Sequence, residues 1–210
     1  MAHSFPGYAS LMQYFQVGFS ENRVDPSKIA LYDDTTQMTF NELDIMSSKI
    51  AQVLKDHLGT DFTNQNPDGD YVFGICAPPC NRLVTLIFGI MKLGGAYVPY
   101  DTSFPEDRVI RITTVAKPLL IISDSHETTL RKFDPVKFRT QVITLEDFWA
   151  KAEQIEIEST AVSPIGPGGN MSERVAIVLF TSGSSGEPKG VRLTHRYKIQ
   201  LYKHTRKTCL

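Results

Sequence analysis

Apolar residues at Phe40, Leu43, Met46, Ile50, Val53, Leu54 and Leu58 recur at helical spacing, which predicts a helix with one buried face up to Gly59. Thr39 and Glu42 are placed for a capping box at its start, with Met38 and Leu43 placed for a hydrophobic staple. Before it, Lys28-Ile29-Ala30-Leu31-Tyr32 alternates like a short strand. After a polar loop from Thr60 to Asp70 the pattern predicts a strand (Tyr71 to Ala77), a helix (about Asn81 to Leu93) stopped by Gly94-Gly95, and a strand (Ala96 to Tyr100). Pro105 suits a first helical position, with Glu106 and Asp107 where the helix dipole favours acids, and that helix runs to about Ala116. Pro118 precedes a strand from Leu119 to Ser123. Gln141 to Thr144 reads as a strand and Leu145 to Ala152 as a short helix. Ser159 to Ser172, rich in Pro and Gly, is a loop, and Val175 to Phe180 is an apolar strand. Strand–helix alternation with short links predicts an α/β fold, a parallel doubly wound sheet with helices on both faces.

The segment after that strand concentrates the chemistry. Thr181, Ser182, Ser184 and Ser185 supply hydroxyls, Gly183, Gly186 and Gly190 allow close backbone approach, and Lys189 adds a positive charge. That combination suits a polyphosphate. It is not a Walker loop, because Lys189 follows Pro188 and precedes Gly190. Nor is it a dinucleotide fingerprint; the nearest candidate, Gly166-Pro167-Gly168, has Met171 where a third glycine belongs. A flexible Gly/Ser linker is the alternative. The strand pattern ahead, the Pro188-Lys189-Gly190 ending and the return to apolar alternation at Val191 and Leu193 oppose it.

Charge and composition narrow the classes. The 210 residues carry a net charge of −1, which predicts no nucleic-acid and no membrane partner. The tail after His195 carries +5 and the remainder −6; on a short extension such a basic run reads as a solvated segment. Cys76, Cys80 and Cys209 form no disulfide framework, so reduced thiols and a cytoplasmic setting are expected, with Cys76 and Cys80 as buried structural thiols rather than zinc ligands. No secretory leader, membrane span or prenylation box is read. His57 is expected as a surface cation at a helix end, Trp149 in packing, and His195 in a hinge or surface role, with catalysis as the alternative. Tyr97, Pro99 and Asp101 are expected to fix a strand-to-loop turn.

Thr181-Ser182-Gly183-Ser184-Ser185-Gly186-Glu187-Pro188-Lys189-Gly190 resembles the phosphate-loop signature of adenylate-forming (AMP-binding) enzymes, with Ser185 in place of the usual threonine. Met91-Lys92-Leu93-Gly94-Gly95-Ala96-Tyr97-Val98-Pro99-Tyr100-Asp101, followed by Phe104-Pro105-Glu106-Asp107-Arg108, resembles a stretch of the amino-acid-activating domains of nonribosomal peptide synthetases. Met38-Thr39-Phe40-Asn41-Glu42-Leu43 resembles the opening motif of the same domains. Shorter stretches, including Asn66-Pro67-Asp68-Gly69-Asp70-Tyr71 and Gly190-Val191-Arg192-Leu193, are similar to the Ebony family of insect β-alanyl-amine synthetases.

The resemblance implies the first part of an adenylate-forming N-terminal domain, over residues 1–195. It implies ATP and Mg2+ as cofactors, an amino acid (β-alanine) as substrate, and transfer to a biogenic amine. Thr181, Ser182, Gly183, Ser184, Ser185, Gly186, Lys189 and Gly190 would hold the phosphates. The catalytic residues, the substrate pocket and the carrier domain that bears phosphopantetheine belong to segments expected beyond this sequence. Residues 196–210 depart from the family pattern and are expected as a divergent basic tail, disordered or produced by truncation. The expectation is therefore an N-terminal piece of a ligase that is inactive alone. Two alternatives stay open: a non-catalytic nucleotide-binding or interaction module, and an adenylating enzyme for another amino or fatty acid. The sequence leaves the oligomeric state open.

Overall fold

The computed structural model describes residues 24–59, 69–138, 140–164, 170–181 and 189–200. Its first elements are the antiparallel strands β1 (Ile29–Tyr32) and β2 (Gln37–Thr39), which lead directly into helix α1 (Phe40–Leu58). The capping box forms in both directions. Glu42 N donates to Thr39 Oγ1 at 3.2 Å, and Thr39 N donates to Glu42 Oε2 at 2.7 Å. Gly59 ends the helix at φ 69°, in the region that favours glycine.

The turn between β1 and β2 is closed by Asp33. Its Oδ1 accepts from Thr35 N and Thr36 N, and its Oδ2 accepts from Asn81 N at 2.9 Å. Asn81 Nδ2 returns a bond to Thr36 O at 2.9 Å. The amide of Asn81, followed by the other donors, holds the Asp33 carboxyl well below the usual carboxylate range. The first hairpin is thereby docked on the start of α2 (Asn81–Lys92).

Among the described residues the main sheet has six strands. They are β3 (Val72–Cys76), β4 (Ala96–Pro99), β5 (Leu120–Ser123), β6 (Gln141–Thr144), β7 (Val175–Thr181) and β8 (Lys189–Thr194), in spatial order β6-β5-β3-β4-β7-β8. Pairings from β6 to β7 are parallel, as expected, whereas β8 runs antiparallel to β7. The length of the link explains the reversal: a parallel return needs a crossover of a dozen or more residues, and only residues 182–188 separate the two strands.

Strand alternation divides the core between the two faces. Phe73, Ile75, Leu120 and Ile122 pack with α1, α2 and α6 (Leu145–Gln154). Val72, Cys76, Val98 and Ile121 pack on the other face with Val109, Ile112 and Ala116 of α3 (Glu106–Ala116). Helices on both faces are thus borne out. Gly94 takes φ 81° at the end of α2, and a Cβ on Gly95 would stand 2.7 Å from the Phe73 ring.

Three details differ from the sequence reading. Pro105 caps α3 from outside rather than opening it, because its extended ψ of 153° precedes the first helical residue. Two four-residue helices, α4 (Glu127–Leu130) and α5 (Pro135–Phe138), occupy the stretch between β5 and β6. Finally, β8 passes straight into helix at residues 195–200, with Ile199 buried. Residues 201–210, and the leading stretch through 23, lie outside the described residues.

Candidate nucleotide-phosphate site

β7 is buried from Val175 to Val178 and emerges at Leu179 to Thr181. Tyr97 pairs with Ile177 in a parallel ladder, so β7 points its end to the same edge of the sheet as β3, β4 and β5. In open α/β sheets that carboxyl edge is where ligands bind, at a point where successive crossovers leave on opposite faces. Here β3 is followed by α2 on one face and β4 by α3 on the other.

The β7–β8 register places Phe180 opposite Gly190 and Thr181 opposite Lys189. Thr181 and Lys189, both exposed, are therefore cross-strand partners at the carboxyl edge, flanking the two ends of residues 182–188. Of the expected site residues, Thr181, Lys189 and Gly190 are brought together in this way. Ser182, Gly183, Ser184, Ser185 and Gly186 lie outside the described residues. Gly190 has a local reason for its identity: an added Cβ would stand 3.3 Å from Cε1 and Cζ of Phe180.

The rest of the carboxyl edge comes from the second motif. After β4, Asp101 Oδ1 accepts from Ser103 Oγ at 2.6 Å and Ser103 N at 2.8 Å, bonds that lower the Asp101 pKa and close the turn expected of it. Tyr100 is buried, its hydroxyl 3.0 Å from Thr113 Oγ1 and its ring edge-on to Phe133 at 5.2 Å; burial raises the pKa of this phenol. Arg108 lays its guanidinium on the Phe104 ring at 4.2 Å, a stacking contact within the motif that spacing alone did not disclose.

The cysteines behave as structural groups. Burial pushes the Cys76 thiol up to about 12, which keeps it protonated and inert. Cys80 is only half-buried and caps α2, with Sγ accepting from Leu83 N at 3.4 Å. Trp149 packs in the core; its Nε1 donates to Glu153 at 2.9 Å, and Arg82 lies over its ring at 5.3 Å. His195 corrects the expectation of a surface role. It is fully buried, and burial followed by the nearby Arg174 charge lowers it to about 4, so it is neutral at pH 7.

Among the described residues no group of three or more His, Cys, Asp or Glu could hold a metal ion. The donors at the strand ends, a hydroxyl and an ammonium, fit an anion instead, so a magnesium ion would come to this edge on the phosphates it neutralises. No helix among the described residues is long and apolar enough to cross a membrane.

Comparison with known proteins identifies the family and the fold. The profile of the family described as AMP-binding enzyme matches residues 19–209. The chain is 35% identical over 161 residues to the beta-alanyl-bioamine nonribosomal peptide synthetase ebony of Drosophila melanogaster, covering 76% of this chain and 17% of that protein. It is 29% identical over 198 residues to gramicidin S synthase 2 of Brevibacillus brevis, covering 92% of this chain and 4% of that one. The chain thus spans less than a fifth of the length of these relatives. Among solved structures, the N-terminal subdomain of Klebsiella oxytoca NpsA in complex with 3-hydroxybenzoyl-AMSN superposes with TM-score 0.67 at 21% identity, over 89% of this chain and 41% of that one. VinN in complex with L-aspartate gives TM-score 0.67 at 19% identity, over 86% and 47%. The mostly parallel sheet with helices on both faces is the fold of these N-terminal subdomains, and the chain belongs to the AMP-binding enzyme family.

Proposed function

We propose that the chain forms the N-terminal part of an ATP-dependent adenylate-forming ligase that activates the carboxylate of an amino acid, β-alanine, for coupling to a biogenic amine. The observation that carries this reading is the β7–β8 register, which sets Thr181 against Lys189 at the carboxyl edge of the parallel sheet. In the reaction a carboxylate oxygen forms a bond to the α-phosphorus of ATP. The bond from that phosphorus to the bridging oxygen breaks, and pyrophosphate leaves with that oxygen and its electrons.

Negative charge gathers on phosphate oxygens as this occurs, so fixed donors make the main contribution of the protein. Thr181 and Lys189 would engage the β- and γ-phosphates from the strand ends, and Ser182, Gly183, Ser184, Ser185, Gly186 and Gly190 would complete the donor set. Mg2+, when bound, would neutralise charge shared between the phosphates. Phosphopantetheine would belong to a separate carrier domain. β-Alanine as substrate is supported by the likeness to the Drosophila synthetase, whose name states that chemistry, and the reduced thiols fit a cytoplasmic setting.

The test is exchange of labelled pyrophosphate into ATP, driven by β-alanine and compared across other amino acids and a fatty acid. The expected outcome is β-alanine-dependent exchange when the chain stands within a complete adenylating unit, and none from the 210 residues alone. Preference of the complete unit for another acid would replace the substrate. Binding of MgATP with no exchange in any form would support a non-catalytic nucleotide-binding module.

A further inference from the structure

Phe180 stands one position before the proposed phosphate segment and carries no phosphate-binding chemistry of its own. Three observations give it a task. It pairs with Gly190 across the β7–β8 ladder. Its ring lies so close that a Cβ on Gly190 would meet Cε1 and Cζ at 3.3 Å. It also packs on the core cluster that includes Val98, Tyr100, Val109 and Val178, and Phe104 of the second motif packs on that same cluster.

We propose that Phe180 is a positioning residue for the phosphate segment: its ring, anchored in the core, covers Gly190 and fixes the register that sets Thr181 opposite Lys189. The physical need is plain. Among the described residues β8 is the edge strand of the sheet, so β7 is the one strand that pairs with it and sets its ladder. A slip of one residue would turn every β8 side chain to the other face. Glycine in a strand gives nothing to pack, and a cross-strand aromatic ring compensates for it. The same contact ties the two motifs together, because Phe180 and Phe104 share one cluster.

The functional consequence rests on the phosphate-binding reading, and the experiment separates the two. Phe180→Leu, Phe180→Tyr, Gly190→Ala and the Phe180→Leu/Gly190→Ala double variant are titrated with inorganic pyrophosphate and MgATP, with amide hydrogen exchange followed at residues 178–181 and 189–192. Phe180→Leu and Gly190→Ala are each expected to raise Kd about tenfold, and the double variant about tenfold rather than about a hundredfold, since the first removes and the second crowds the same contact. Phe180→Tyr, which keeps the ring, is expected within about twofold of the parent. Exchange at residues 189–192 is expected to accelerate in Phe180→Leu and to recover in Phe180→Tyr, while the amides of β3 and β5 keep their protection. Losses that multiply, or a Phe180→Leu variant with parental affinity and exchange, would overturn the inference. Failure of the unsubstituted chain to bind either probe removes the phosphate reading, and the exchange arm then decides the register claim by itself.

Discussion

Lys92, in the last turn of α2, places its ammonium 2.5 Å from Asp44 Oδ1 on α1 with its own side chain 2% exposed. It also donates to Asp44 O at 2.7 Å and to Ser48 Oγ at 2.6 Å. Ser48 Oγ in turn donates to Thr160 O at 2.9 Å, so one buried cation ties α1, α2 and the segment after α6. Burial lowers the Lys92 pKa while the Asp44 carboxylate opposes that shift.

Removing one partner of such a pair leaves an uncompensated charge, at a cost of about 3 kcal/mol or more. Lys92→Ala is therefore expected to lower unfolding stability by about 3 kcal/mol, and Lys92→Met with Asp44→Asn to cost less than the two singles added together. Urea denaturation of the parent, Lys92→Met, Asp44→Asn and the double variant measures the coupling, and the same measurement on Lys92→Ala gives its loss. Additive losses would show that the pair does not act as a unit.

α1 and α2 also touch at Gly89, where an added Cβ would lie 2.9 Å from Ser47 O and closer still to Ile50 Cγ2. Gly89→Ala gains helix propensity but overpacks this crossing, and the net loss is expected at about 1–3 kcal/mol. A shift of the thermal midpoint upward in Gly89→Ala would contradict the close approach.

His195 sets an acid limit on stability. Its folded-state pKa of about 4 lies below the ordinary 6.5, so the unfolded chain binds the extra proton between those values. Stability is fully present above pH 6.5 and is lost as pH falls toward 4, by up to about 3 kcal/mol through linkage. His195→Gln is expected to flatten the pH dependence across that window. Unfolding curves from about pH 4 to 7 for both proteins provide the check.

Lys189 faces Thr181 in the open, and its ammonium adds charge to the proposed phosphate site. Lys189→Ala is expected to weaken MgATP binding about tenfold, with the loss shrinking at high salt. Lys203→Ala, in the basic tail, is expected to leave affinity within about twofold. Equal affinity of Lys189→Ala and the parent by calorimetry would remove Lys189 from the site.

Much of this was legible because the signals were local. Thr39 with Glu42, Gly59, and Gly94 with Gly95 mark helix ends through backbone chemistry that neighbours do not alter. The near-continuous apolar run of β3 likewise announced a strand, which the structure buries along its whole length. What escaped depends on distant partners or on very short elements. Asp44 and Lys92 meet only because α1 and α2 cross at Gly89. His195 reads as exposed until β8 returns it beside Arg174, whose carbonyl accepts from His195 N at 3.0 Å. α4 and α5 are each about one turn long, too short for periodicity to register. At the site, the chemistry of Thr181, Lys189 and Gly190 was readable, but the ring over Gly190 required the cross-strand register.

The reversal of direction at β8 has a kinetic consequence. Every parallel pairing in the sheet must wait for a crossover, and β7 meets β4 across 80 residues of chain, Tyr97 to Ile177. The β7–β8 ladder joins Thr181 to Lys189 across only a short link and can close on the roughly 1–10 μs scale of hairpins. The unit that carries the proposed phosphate contacts can thus assemble early, before the sheet that presents it to a ligand has formed.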